Sequence, residues 1–352
     1  MTFGEFKRHG LIFMWETTKG IKLMDKIAKA FRPILKYWSY LGILIGYAGM
    51  LYILYYLFGA FIQPAAQPVV SPVIPGLRIP GSQITVPLVE GILAILTLLI
   101  IHEGGHGVIA RVHNIKVKSA GVGLLAILPF AFVKPDEAQL RKAPILHRLS
   151  MYAAGPWANI TTAALAAVTM IFLVTPALFG AFDLTGLEII GTAEEFPAKE
   201  AGLIEGDTIL AVDSVPISNL EEFSTALASK TPGDSATFQL EDRTLEITAA
   251  QNPDNSEIGR FGFSYEPILE PTKWYSNPLI FFSRFLNWFF ILSLGIGLFN
   301  LLPIPILDGG KMLQDAVFGI IKDKKRASKI FMYLSFFSIA LLIGAILLPL
   351  MA

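Results

Sequence analysis

Five apolar runs, each near the ~20 residues a helix needs to cross a bilayer, limit what this chain can fold into. They lie at 38–62, 87–112, 149–179, 278–302 and 330–350. Lipid offers no partner to an unpaired backbone N–H or C=O, so runs of this length must be helical. Composition agrees, because only 16% of the 352 residues are charged, against about a quarter in soluble domains. A sixth apolar stretch, 120–133, is too short to span and is broken by Gly121, Gly123 and Pro129. It reads as a segment that enters the membrane and returns. The expected fold is therefore an α-helical polytopic membrane protein: about five transmembrane helices, one re-entrant segment and one small inserted domain.

Basic residues set the orientation, because Lys and Arg collect on the cytoplasmic side. Eight lie before the first span, seven between Arg111 and Arg148, and six between Lys311 and Lys329. The opposite side carries only Arg78, five between Lys199 and Lys273, and Arg284. This places the N-terminus in the cytoplasm and residues 183–277 outside, in a multi-pass protein of the cell membrane. The first 37 residues are long and basic with no short apolar core, so no cleavable signal is expected. Within them, Ile21, Met24, Ile27, Phe31 and Leu35 share a helical face opposite Lys22, Lys26, Lys29 and Lys36. That pattern suits a helix lying on the inner leaflet. Residues 183–277 are hydrophilic and mix short β-like runs with turn signals such as Pro232-Gly233-Asp234. They read as a small α+β or β-rich domain.

The expected organisation follows: a basic region with a surface helix at 1–37, then a first span with a Pro-rich outer connector at 38–86. A first membrane core at 87–182 precedes the outer domain at 183–277. A second core with a basic loop at 278–329 and a last span at 330–352 complete the chain.

The second span holds the chemistry. Its stretch LTLLIIHEGGHGVIA carries His102, Glu103 and His106, polar groups that cost several kcal/mol at membrane depth unless paired or functional. H-E-x-x-H on a helix puts both imidazoles on one face, able to grip a metal ion, with Glu103 alongside as a base. The chain has no cysteine, so any zinc site must be built from His, Asp or Glu. A catalytic zinc needs a third protein ligand. His113 lies two turns beyond His106, about 10 Å along a helix, out of reach. His9 and His147 sit in basic segments and read as solvent-facing. Asp308 is the better candidate. It follows Pro303 and Pro305, which must interrupt the fourth span, and topology brings it to the same membrane face as the two histidines. Asn159 enters the third span from that face and lies about 15 Å along it, placed to meet a substrate backbone or a developing oxyanion.

H-E-x-x-H in one span, Gly155, Pro156 and Asn159 in the next, and Asn300, Pro303, Leu307, Asp308 and Gly309 in a later one together resemble the site-2 proteases. The resemblance covers roughly 88–310. It implies a zinc metalloendopeptidase working inside the membrane: one Zn2+ on His102, His106 and Asp308, Glu103 as catalytic base, Asn159 assisting near the substrate. Its substrates would be membrane-spanning segments cut near the cytoplasmic side, in regulated intramembrane proteolysis. FPAKEAGLIEGDTILAVDSVPI, residues 196–217, is similar to the core of a PDZ domain, with Ser214 where Gly is common. That likeness implies a groove for a peptide or C-terminus, or a steric filter. Besides the lipid bilayer no other partner is implied, nucleic acid included. An inactive scaffold gathering partners through the PDZ-like domain is the main rival, and a metal-ion transporter a weaker one.

Overall fold

The computed structural model describes residues 6–9, 12–62, 73–78, 85–125, 128–217, 219–252 and 257–351. The expected Pro-rich connector lies largely outside them. The chain divides into two compact units, Met1–Ile171 with Phe281–Ala352, and Phe172–Ile280.

The first unit opens with two strands, β1 (Phe6–His9) and β2 (Ile12–Glu16), and two helices, α1 (Thr18–Ala30) and α2 (Arg32–Ile62). Thr17 caps α1, its hydroxyl accepting from the Gly20 N–H at 3.3 Å. Helix α3 (Leu88–Val112) leads into an antiparallel hairpin, β3 (Val117–Leu125) and β4 (Leu128–Pro135). After the short α4 (Glu137–Lys142), α5 (Ile145–Thr169) continues through one π turn, Met170–Val174, into α6 (Thr175–Phe179).

Five helices are long and apolar enough to cross a membrane: Arg32–Ile62, Leu88–Val112, Ile145–Phe179, Ser276–Phe299 and Lys324–Leu347. Each falls on one of the five expected runs, and the chain is a multi-pass membrane protein. The 120–133 segment forms a β-hairpin. Sheet order is β1-β2-β3-β4, which leaves β4 at the edge. Glycine permits the β2–β3 contact: a Cβ on Gly121 would lie 2.1 Å from the Trp15 carbonyl oxygen, and one on Gly123 2.5 Å from that of Phe13. The apolar face expected between residues 21 and 35 is split between α1 and α2. Ile21, Met24 and Leu35 pack on Ile109, Ala110 and Val117, whereas Phe31 is 54% exposed.

The second unit begins near the end of α5. Its strands are β5 (Phe182–Thr192), β6 (Thr208–Val212), β7 (Val215–Pro216), β8 (Ser235–Leu240), β9 (Thr244–Thr248), β10 (Ala250–Gln251), β11 (Gly259–Arg260) and β12 (Phe263–Pro271). Two short helices, α7 (Pro197–Glu200) and α8 (Leu220–Ala228), lie between strands. The antiparallel sheet runs β12-β5-β6-β8-β9, with β7 on β6 and a separate β10–β11 pair. Leu187, Ile189, Leu203, Ile209, Phe238 and Ile247 form its buried core. The expected turn is present, with Gly233 at φ +96 and the Asp234 carboxylate accepting from Thr231 N–H at 2.7 Å.

The chain re-enters the first unit along α9 (Ser276–Phe299). The prolines end that helix as expected. Residues 300–307 are irregular, and the Asn300 carbonyl accepts from Gly309 N–H at 2.8 Å to close the bend. A helix then begins where a basic loop was expected: α10 (Asp308–Ile320), followed by α11 (Lys324–Met351). Met312 and Val317 are buried on α10, and its Asp315 pairs with Arg148 of α5 at 2.7 Å.

Candidate metal centre

Three ligand types converge inside the first unit. His102 and His106 stand one turn apart on α3, and Asp308 is the first residue of α10. The Nε2 atoms of His102 and His106 lie 3.1 and 3.0 Å from Asp308 Oδ2, and 3.3 Å from each other. These are the separations that ligands adopt on a tetrahedral zinc, ~3.3 Å apart for metal–ligand bonds of ~2.0 Å. Among the described residues no other His or carboxylate group has ligand atoms gathered this closely. Gly155 keeps the space before the triangle open, since a Cβ there would lie 2.3 Å from His106 Nε2 and 2.7 Å from His102 Nε2. His102 and Asp308 are 6% and 5% exposed. A carboxylate so buried is costly unless strongly paired. Two imidazole nitrogens, a carboxylate oxygen and an open face therefore fit a zinc ion with one position left for water or substrate.

A second layer holds each group in place. His106 Nδ1 contacts the Met151 carbonyl at 2.7 Å, and His102 Nδ1 faces Asn159 Nδ2 at 3.3 Å. Lys311 donates to Asp308 Oδ1 at 3.0 Å, one turn along α10. Glu103 Oε2 accepts from the Val133 N–H of edge strand β4 at 2.9 Å, leaving Oε1 for a proton. Partners of this kind orient ligands and tune metal sites. Met151 and Val133 contribute backbone atoms, which leave no trace in sequence. Lys311 could have been found, since a charge three residues after Asp308 shares its helical face.

The remaining candidates lie elsewhere. His113 accepts or donates at Ser150 Oγ, 2.9 Å away, and stacks on His147 with ring centroids 4.0 Å apart. His147 is thus stacked on His113 and only partly exposed, because the start of α5 runs against the end of α3. The His9 side chain lies outside the described residues. Asn300 donates to the Ile296 carbonyl at 3.0 Å and serves the bend.

Membrane-length helices around a buried His–His–carboxylate triangle define a class: polytopic membrane proteins with a metal-binding donor set. Comparison makes the class specific. Residues 90–344 match Peptidase family M50. An uncharacterized protein of Methanocaldococcus jannaschii is 30% identical over 86% of this chain and 77% of its own length. A zinc metalloprotease of Shouchella clausii is 27% identical over 53% of this chain and 54% of its own. A membrane-bound transcription factor site-2 protease homolog of Arabidopsis thaliana is 25% identical, with coverages of 56% and 39%. The chain belongs to peptidase family M50, the site-2 protease family, and is a membrane metalloprotease.

Proposed function

We propose that this chain is an intramembrane zinc endopeptidase that cuts membrane-spanning segments near their cytoplasmic ends, within regulated intramembrane proteolysis. The observation that carries this reading is the depth of the triangle. His102 and His106 lie ten and six residues before the end of α3, hence about 15 and 9 Å inside the span at helical rise. A metal triangle there serves chemistry on a bond that is itself within the bilayer.

His102, His106 and Asp308 would hold one zinc ion. A zinc ion there would supply Lewis-acid chemistry, polarising a peptide carbonyl and making water a nucleophile at neutral pH. Glu103, held through Oε2 by Val133, would take a proton from the attacking water on Oε1 and return it to the leaving nitrogen. Asn159 acts at the same centre, beside His102. The substrate helix must open locally, because helical carbonyls are shielded by their own hydrogen bonds. Edge strand β4, dipping from the cytoplasmic side, offers such an opened segment a row of backbone partners.

The second unit is proposed to be a PDZ-like domain outside the membrane that receives a peptide or C-terminus, or filters untrimmed substrates. Its antiparallel sheet with two short helices supports this, as do Gly202 and Gly206 at φ +86 and +91 in the A-G-L-x-x-G-D stretch. Ser214 adopts φ +65, a left-handed position that explains why glycine is common there. The distribution of Lys and Arg supports a cytoplasmic N-terminus.

The decisive experiment is Glu103→Gln in purified full-length protein. It should retain one zinc per chain and lose cleavage of a single-span substrate in detergent. Cleavage at the wild-type rate would remove Glu103 from the mechanism.

A further inference from the structure

Outside the metal centre, one concave site gathers cationic donors with capacity to spare. Helix α1 carries Lys29 in its last turn, α2 starts at Arg32, and α3 stops at Val112. These ends surround a cavity of about 180 Å³ lined by Asp25, Ala28, Lys29, Arg32, Arg111 and Asn114. Three cations there face one carboxylate.

Part of that charge is used internally. Arg111 pairs with Asp25. Arg32 grips the Val112 carbonyl through Nε at 3.0 Å and Nη2 at 2.8 Å, and Nη2 also reaches Asn114 Oδ1 at 2.5 Å. Asn114 takes the left-handed conformation, φ +61, which Asn tolerates better than most residues. Its oxygen is turned to Arg32 and its Nδ2 is left over. A guanidinium has five N–H donors and an ammonium three. Among the described residues, Arg32 Nη1, the Lys29 ammonium and Asn114 Nδ2 therefore keep donors with no acceptor.

Depth identifies the ligand. Arg32 begins one membrane-length helix and Val112 ends another, so the cavity lies where spans leave the apolar layer, level with lipid headgroups. Phe31 and Ile34, on either side of Arg32, are 54% and 68% exposed and present apolar surface at that level. A free phosphate offers the same oxygens but has no use for this apolar rim.

We propose that the cavity binds the phosphate of an anionic phospholipid, its oxygens taken by Lys29, Arg32 Nη1 and Asn114 Nδ2, its acyl chains lying beside Phe31 and Ile34. The headgroup would thereby tie α1 to the ends of α2 and α3.

The test titrates the full chain in detergent with short-chain phosphatidylglycerol, phosphatidylcholine or inorganic phosphate, counting bound ligand by native mass spectrometry. Phosphatidylglycerol should bind about tenfold more tightly than phosphatidylcholine, and Lys29→Glu should weaken it by about tenfold, as expected for one charge-assisted contact. Lys26→Glu makes the same charge change on α1 outside the cavity and should leave binding unchanged. Equal losses in the two variants would mean diffuse attraction and overturn the site. Equal affinity for both lipids, or inorganic phosphate competing as well as phosphatidylglycerol, would overturn the lipid.

Discussion

Asn159 is fully buried, with Nδ2 3.3 Å from His102 Nδ1 and an Oδ1 that has no partner among the described residues. An imidazole that gives Nε2 to a metal keeps its proton on Nδ1 and needs an acceptor there. Two donors would then face each other while a buried oxygen goes unused. Turning the amide by half a turn removes both faults, because Oδ1 accepts from Nδ1–H. Asn159 would then act by orienting His102. Asn159→Asp keeps an acceptor and should keep zinc; Asn159→Leu removes it at similar size and should weaken zinc binding by about 10–100-fold. Chelator competition measures this, and equal affinities for the two variants would place Asn159's role with the substrate instead. The three residues of the triangle could be singled out in the sequence because H-E-x-x-H has a fixed helical spacing and Asp308 follows two prolines. The groups that hold them were less legible, since Val133 N–H and the Met151 carbonyl belong to every residue type.

At the level of elements, apolar length located the spans, while two features escaped it. Strands β1 and β2 escaped because Lys7 and Arg8 of β1 helped the region read as basic, and β2, on which β1 pairs, is held by β3 from across more than a hundred residues. Helix α10 escaped because six basic residues made 311–329 read as loop; five of them, from Lys322 onward, lie beyond it. The junction of α3 and α5 yields a pH prediction. Burial, then the neighbouring charges of His147, Lys36 and Arg32, hold the His113 pKa down at about 4 from its ordinary 6.5. Between those values the unfolded chain takes up a proton that the folded one refuses, so stability is present above 6.5 and lost as pH falls. Thermal denaturation in detergent should show the midpoint falling as pH drops from 6.5 towards 4. His113→Gln should flatten that profile, and an unchanged slope would exclude His113 as its source.

At the scale of the whole molecule, two units with separate cores should respond separately to damage. Phe238 is completely buried in the second unit's core, and Phe238→Ala should destabilise that unit by about 3–5 kcal/mol. Limited proteolysis should then cut within 172–280 while bound zinc stays at the wild-type level. A parallel loss of zinc would show that the units stand or fall together. The hydrophilic block was plain in the sequence, but its strand order was not, because pairings such as β12 with β5 join distant segments.

One consequence concerns the making of the protein. Asp308 follows His106 by 202 residues, with the entire second unit translated in between. A growing chain that has made α3 therefore holds His102 and His106 but cannot yet bring Asp308 to them. The triangle can close only after the second unit has been made.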